Sequence, residues 1–198
     1  MKTIRTTNLR SIVDSGNIEI NKINILLGAN SSGKSTFVRM FPMFTESSKH
    51  ELRGPLLWAD EDYDYGSFRK ALYNQADEEH QTISFSFCWD LKHDKKRKDF
   101  FPYLKDSDEI TLTITIGEEI NSDKKTSVVI KELKVSSNQL DIKLITEGNT
   151  SGSAINCYVN GEKVNIGEAS WEYEVKGVLP NIRIRVPNQA LEFQKLLQ

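Results

Sequence analysis

Between Ile110 and Ile116 the chain reads Ile-Thr-Leu-Thr-Ile-Thr-Ile, an unbroken alternation of apolar and hydroxyl side chains. Neighbouring side chains of a strand point to opposite faces, so this run fits a strand with one buried and one wet face. Ile83, Phe85 and Phe87 alternate with Thr and Ser in the same way. Further strand-like runs lie near Ser127 to Val135, Leu140 to Thr146, Ile155 to Val159, Lys163 to Ile166, Trp171 to Val175 and Ile182 to Val186. Asn160-Gly161 between two of them is the dipeptide of a type I′ hairpin. The chain after residue 82 is therefore expected to be mostly antiparallel β.

Composition narrows the class. A chain of 198 residues can bury one substantial core without disulfide staples. Hydrophobic content of 38% and charged content of 27% are ordinary for a globular protein and exclude wholesale disorder. With 26 Lys+Arg against 28 Asp+Glu, the net charge of −2 argues against an intrinsically basic nucleic-acid-binding domain. The sequence holds no run of about 18 apolar residues, and its opening, MKTIRTTNLR, lacks the apolar core of a signal peptide. A cytoplasmic protein with no membrane span is the expectation. Cys88 and Cys157 are far apart and read as reduced strand residues, and His50, His80 and His93 read as surface residues without the partners a zinc site needs.

The front of the chain carries the chemistry. Gly28-Ala29-Asn30-Ser31-Ser32-Gly33-Lys34-Ser35 matches the P-loop pattern of Gly, four residues, then Gly-Lys-Ser. Ile18 and Ile20, then Ile23 to Leu27 around Asn21-Lys22, suggest a hairpin feeding a buried strand directly before it. Phe37, Met40, Phe41 and Phe44 recur as one face of a helix directly after it, with Pro42 expected to kink or end that helix. Each position has a physical reason. Glycines let successive N–H groups turn inward on an anion, and the helix N-terminus adds its positive end. Lys34 reaches the β- and γ-phosphates, the Ser35 hydroxyl ligates Mg²⁺, and Thr36 assists at the α-phosphate. ATP and Mg²⁺ are the expected cofactors.

Hydrolysis also needs an acidic partner for the metal, normally at the end of a later buried strand. Leu56-Leu57-Trp58-Ala59-Asp60-Glu61 imitates that Walker B pattern but follows Pro55 in an acidic, loop-like stretch. Phe87-Cys88-Trp89-Asp90 is a second imitation on a half-exposed strand. Neither is read as a true Walker B. Asn74-Gln75-Ala76-Asp77 lacks the lysine that guanine reading requires. Residues 45 to 81 read as a loop with short helices, the best candidate being Ser67 to Gln75. The basic run Lys92 to Lys98 reads as a solvated connection, and Pro187 to Gln198 as the start of a helix.

Asn8-Leu9-Arg10-Ser11, followed by Ile23 to Leu27 and then Gly28 to Thr36, resembles the opening of the ABC-type ATPases of the SMC, RecF and OLD (overcoming lysogenization defect) group. Tyr65-Gly66-Ser67-Phe68 is similar to a segment of the OLD-like branch, which includes anti-phage defence ATPases and retron-associated effectors. The resemblance covers residues 1 to about 90, with Leu9 in place of the usual Phe. It implies an α/β fold, a P-loop NTPase lobe of the ABC type with a large antiparallel β portion. It divides the chain into a P-loop segment (1–90), a β-rich part of the lobe (91–186) and the beginning of a helix (187–198).

The site implied is Arg10 near the phosphates, with Gly28, Asn30, Ser31, Ser32, Gly33, Lys34, Ser35 and Thr36 around the nucleotide. Lys34 and Ser35 are catalytic and Ser35 holds the metal. The resemblance further implies ATP hydrolysis in a homodimer or higher oligomer closed around ATP. That assembly would control a DNA-directed endonuclease outside this chain, acting on DNA or another nucleic acid with a defence-system partner. The fragment alone is expected to be nearly inactive. The alternatives are an SMC- or RecF-like DNA-repair ATPase without a nuclease, and a nucleotide-sensing scaffold with little hydrolysis.

Overall fold

The computed structural model describes residues 1–49, 54–73, 81–90, 109–120, 124–138, 140–147, 154–165, 170–174 and 181–185. Its centre is a nine-stranded antiparallel sheet. The strands are β1 (Thr3–Leu9), β2 (Ile12–Asp14), β3 (Ile18–Glu19), β6 (Thr82–Asp90), β7 (Glu109–Ile120), β8 (Thr126–Ser136), β9 (Asp141–Glu147), β10 (Ala154–Val159) and β11 (Glu162–Val164). Their order is β11-β10-β9-β8-β7-β6-β1-β2, with β3 continuing along the same edge of β1 as β2. Two further two-stranded antiparallel sheets form, β4 (Ala59–Asp60) with β5 (Tyr63–Asp64) and β12 (Ser170–Glu174) with β13 (Asn181–Arg185).

The alternation in the sequence sets the two faces. Ile83, Phe85 and Phe87 of β6, Ile110, Ile114 and Ile116 of β7 and Leu133 of β8 are buried. On the opposite face Ser84 shares a hydroxyl hydrogen bond with Thr115 (3.0 Å) and Ser86 with Thr113 (2.9 Å). Farther along that face, Lys143 pairs with Glu132 and Lys134 with Asp141, each at 2.8 Å. Asn160 and Gly161 both have positive φ in the turn joining β10 to β11, as a type I′ hairpin requires.

Helix α1 (Lys34–Ser47) lies on the apolar face and buries Phe37, Met40, Met43 and Phe44. Phe44 meets Phe85 and Phe87 edge to face, at centroid separations of 5.0 and 5.2 Å. These three rings belong to one buried apolar cluster with Phe37, Met40 and Met43 of α1. Helix α2 (Phe68–Ala71) is a single turn, capped by Ser67, whose side chain accepts from the Lys70 N–H.

Several expectations are corrected here. The α/β fold expected of an ABC-type P-loop lobe is not what forms: every strand pairing among the described residues is antiparallel, and α1 and α2 are the helices among them. Parallel strands need a long crossover between neighbours, whereas β8, β9, β10 and β11 follow one another across short connections. Residues 23–27 are not a buried strand, and Ile23, Ile25 and Leu27 are 82%, 78% and 89% exposed. No hairpin forms at Asn21-Lys22. Pairing with β1 is closed to this segment, because both edges of β1 are filled, by β2 and β3 on one side and β6 on the other. Pro42 does not end α1, which runs on to Ser47. The carbonyl that Pro42 leaves without its usual donor belongs to Val38, a residue 52% exposed on the solvent side. The helix expected over Ser67 to Gln75 is confined to Phe68–Ala71, and Asn74 and Gln75 fall outside the described residues.

His50, His80, His93, the Lys92–Lys98 run and Pro187–Gln198 also lie outside the described residues. Among the described residues no helix is long and apolar enough to cross a membrane. Cys88 and Cys157 are both free, the first half-buried and the second buried.

Burial pushes the Cys157 thiol up to about 11 from 9.0. It pushes the Tyr63 phenol up to about 12 from 10.0, with the charges of Asp60 and Glu46 adding to the effect. In the unfolded chain both groups release their protons at lower pH, so alkali favours unfolding. The urea midpoint should hold steady between about pH 6 and 8 and fall from above about pH 9, with Cys157→Ala removing the earlier part of the fall. A midpoint unchanged up to about pH 11 would contradict this assignment.

Candidate functional site: the loop before α1

The site begins at a tight turn. Leu9 pairs with Ile12 across β1 and β2, which leaves Arg10 and Ser11 as the connecting residues. Arg10 has φ 50, a left-handed value that a long side chain adopts at some cost. Its N–H donates to the Ala71 carbonyl at 2.6 Å. The turn is thereby pinned against the end of α2.

The loop preceding α1 rests on that turn. Ser31 (φ 64) and Gly33 (φ 92) are left-handed, a backbone course that can bring successive N–H groups to one side. A Cβ at Gly33 would come within 2.7 Å of Ile12 Cγ1 and 3.2 Å of Ser11 Oγ. Glycine is required there on two independent grounds, conformation and space. The Gly33 carbonyl accepts from the Phe37 N–H at 2.8 Å and opens the helix. No side chain caps α1 and no acidic residue occupies its first turn. The open N–H groups and the helix dipole therefore present positive potential outward.

A cavity of about 270 Å³ forms at this point, lined by Arg10 and Ser11 from the turn and residues 31–36 from the loop and helix. Lys34 Nζ donates to the carbonyls of Gly28 (2.7 Å) and Ala29 (2.6 Å), so the ammonium is folded into the loop. No carboxylate is among the lining residues. Two cationic side chains and a helix N-terminus converge with two or more hydroxyls, an arrangement suited to an oxyanion.

Arg10 is held from behind. Its Nη2 donates to the Asp64 carbonyl at 2.7 Å, and its guanidinium carbon lies 5.2 Å from the centre of the Tyr65 ring. Its Nε is buried and finds no acceptor among the described residues. Tyr65 is 1% exposed, and its hydroxyl donates to the Thr36 carbonyl at 2.6 Å. Burial raises the Tyr65 phenol above its ordinary value, with Arg10 and Arg39 opposing, so the hydroxyl stays a donor at neutral pH.

Of the site residues expected from sequence, Arg10, Ser31, Ser32, Gly33, Lys34, Ser35 and Thr36 are brought together around this cavity. Gly28 and Asn30 are not among its lining residues, although the Gly28 carbonyl receives Lys34. Ser11 and Tyr65 were read as parts of the Asn8–Ser11 and Tyr65–Phe68 resemblance segments but not as site residues. Ser11 follows Arg10 in the same turn, and that adjacency was its signal; Tyr65 reaches Thr36 across 29 positions, which no local pattern encodes. Asp60 ends the two-residue strand β4 and Glu61 opens the turn to β5, with Asp60 Oδ1 accepting from the Glu61 N–H at 2.6 Å. The pair is not the end of a buried strand. Among the described residues no three His, Cys, Asp or Glu side chains are grouped as a metal would need.

No family model matches the chain, and no curated protein matches it.

Replacing Gly33 with alanine should lower stability by about 1–3 kcal/mol, through backbone strain and the clash with Ile12. Adding Ile12→Ala relieves the clash but not the φ of 92, so the double variant should recover only part of what the Gly33 change alone costs. Urea unfolding of the two variants checks this, and full recovery in the double variant would contradict the strain component.

Proposed function

We propose that the chain binds ATP through residues 28–36 and Arg10. What carries this reading is the coincidence of a complete P-loop sequence with a carboxylate-free cavity where Lys34, Arg10 and the N-terminus of α1 meet. The loop N–H groups and Lys34 take the β- and γ-phosphates, Arg10 offers its unpaired Nε–H to a phosphate oxygen, and Thr36 lies toward the α-phosphate. The donor set fits a polyphosphate: cations, hydroxyls and backbone N–H groups with no competing anion. Ser35 is the residue that would hold Mg²⁺, and the remaining ligands would come from the phosphates and water. The metal would supply charge neutralisation between the phosphate groups.

The wider reading follows the resemblance to OLD-like ATPases. A second subunit closes over the γ-phosphate, hydrolysis belongs to that assembly, and its output is a DNA-directed nuclease activity outside these residues. The cytoplasm is the compartment this reading requires. One observation favours a second reading, nucleotide sensing with little turnover by these residues alone. The Asp60-Glu61 pair lies where the short strand β4 enters its hairpin turn, and no carboxylate lines the cavity to hold the metal or orient water.

Lys34→Ala should weaken ATP binding by about tenfold or more, since a charge-assisted contact to phosphate is worth roughly 1.5–3 kcal/mol. Its hydrogen bonds reach only loop carbonyls and Ser32, so the far-ultraviolet circular dichroism and the urea midpoint should be unchanged. Equilibrium dialysis with radiolabelled ATP is the measurement, and equal binding by the variant and the parent chain would overturn the reading.

A further inference from the structure

The segment from Leu57 to Ala71 runs alongside α1 and is tied to it at both ends. Near the C-terminus of the helix, Ser47 Oγ accepts from the Leu57 N–H at 2.9 Å. Near the N-terminus, the Tyr65 hydroxyl donates to the Thr36 carbonyl at 2.6 Å. Those anchor points are eleven residues apart on the helix, or about 16 Å of rise. Between them the Tyr65 N–H donates to the Trp58 carbonyl at 2.9 Å, and the Trp58 ring stands edge to face against Phe68 at 5.6 Å.

The same segment is what braces Arg10. Asp64 supplies a carbonyl to its Nη2, Tyr65 supplies a ring to its guanidinium, and Ala71 supplies a carbonyl to its N–H. Tyr65 thus touches both halves of the anion site: the first turn of α1 through its hydroxyl and Arg10 through its ring. It lines no part of the cavity itself.

We propose that Tyr65 is a positioning residue for the anion site, and that occupancy of the site is transmitted through Tyr65 to the Trp58–Phe68 contact. The proposal rests on the reading that residues 28–36 and Arg10 take the phosphates of a nucleotide. Its physical basis is that Arg10 lines the cavity while its buried Nε has no hydrogen-bond partner among the described residues, an acceptor that an anion seated there would supply. Accepting that hydrogen bond draws on the guanidinium, whose other contacts are Asp64 and Tyr65. Tyr65 is fixed to Thr36 and is buried, so it cannot simply follow. The displacement passes instead along the main chain, where the Tyr65 N–H bond to the Trp58 carbonyl shifts the residue whose ring packs on Phe68. By reciprocity, loosening Tyr65 must weaken the anion.

The chain contains three tryptophans, so Trp89→Phe with Trp171→Phe leaves Trp58 as the sole indole reporter. This variant is titrated with MgATP while binding is followed separately by dialysis with radiolabelled ATP. The Trp58 emission should change with the same midpoint as the dialysis curve. Tyr65→Phe, which keeps the ring and removes the hydroxyl, should weaken binding by about fivefold and shrink the Trp58 response. Tyr65→Leu, which also removes the ring, should weaken it further. Pairing Tyr65→Leu with Arg10→Met should give less than the product of the single effects, a coupling that a merely structural tyrosine does not produce. Normal dialysis binding with a silent Trp58 would overturn this inference and leave ATP binding intact. So would Tyr65→Phe binding as tightly as the parent. Loss of binding in dialysis of the parent chain would overturn both. The Trp58 titration needs no change at Tyr65, so it decides the matter even if the Tyr65 variants do not fold.

Discussion

The arrangement of this molecule depends on one packing contact, the Phe44 ring set edge to face against Phe85 and Phe87. Phe85 and Phe87 are there because β6 alternates, and Phe44 is there because α1 repeats its apolar residues every three or four positions. Two different periods meet at that cluster. Once the C-terminal half of α1 is fixed on the sheet, its N-terminal end has only one place to lie, beside the β1–β2 turn. Gly33 makes that approach possible, since any Cβ there would strike Ile12.

The candidate site follows from where that end of the helix falls. A helix N-terminus alone attracts anions weakly, and it is the turn carrying Arg10 that gives this one a second cation. Arg10 is held in a left-handed conformation by a hydrogen bond to Ala71 and by the ring of Tyr65. The segment from Leu57 to Ala71 therefore shapes the cavity without lining it. A residue's distance from the loop in sequence is no guide to its distance in consequence.

Much of the sheet was legible in the sequence because strand alternation is a local signal: β6 to β11 form close to where the apolar residues recur. The helix after Gly33 was legible for the same reason. The segment before Gly28 was misread on the same logic, since Ile23 to Leu27 has strand composition but no free edge of β1 to pair with, and Ile23, Ile25 and Leu27 face solvent. Strand propensity describes a willing surface, and pairing needs a partner. The α/β expectation, which came from the resemblance to ABC-type ATPases, failed because the described strands pair only antiparallel and α1 and α2 are the helices among the described residues. At the site, the residues from Ser31 to Thr36 were readable as a motif, whereas the bracing of Arg10 by Asp64, Tyr65 and Ala71 is long-range, and the Tyr65–Phe68 segment was read only as a resemblance and not as part of the site.

The central claim is that the N–H groups at the start of α1, together with Arg10, take the phosphates of a nucleotide. Amide chemical shifts of the ¹⁵N-labelled chain, followed during titration with MgATP, test it most directly. The account predicts saturable downfield shifts of the Gly33, Lys34, Ser35 and Thr36 amide protons, with the Arg10 Nε–H resonance emerging as it gains an acceptor. Shifts that are absent there, or that centre on another part of the sheet, would contradict it.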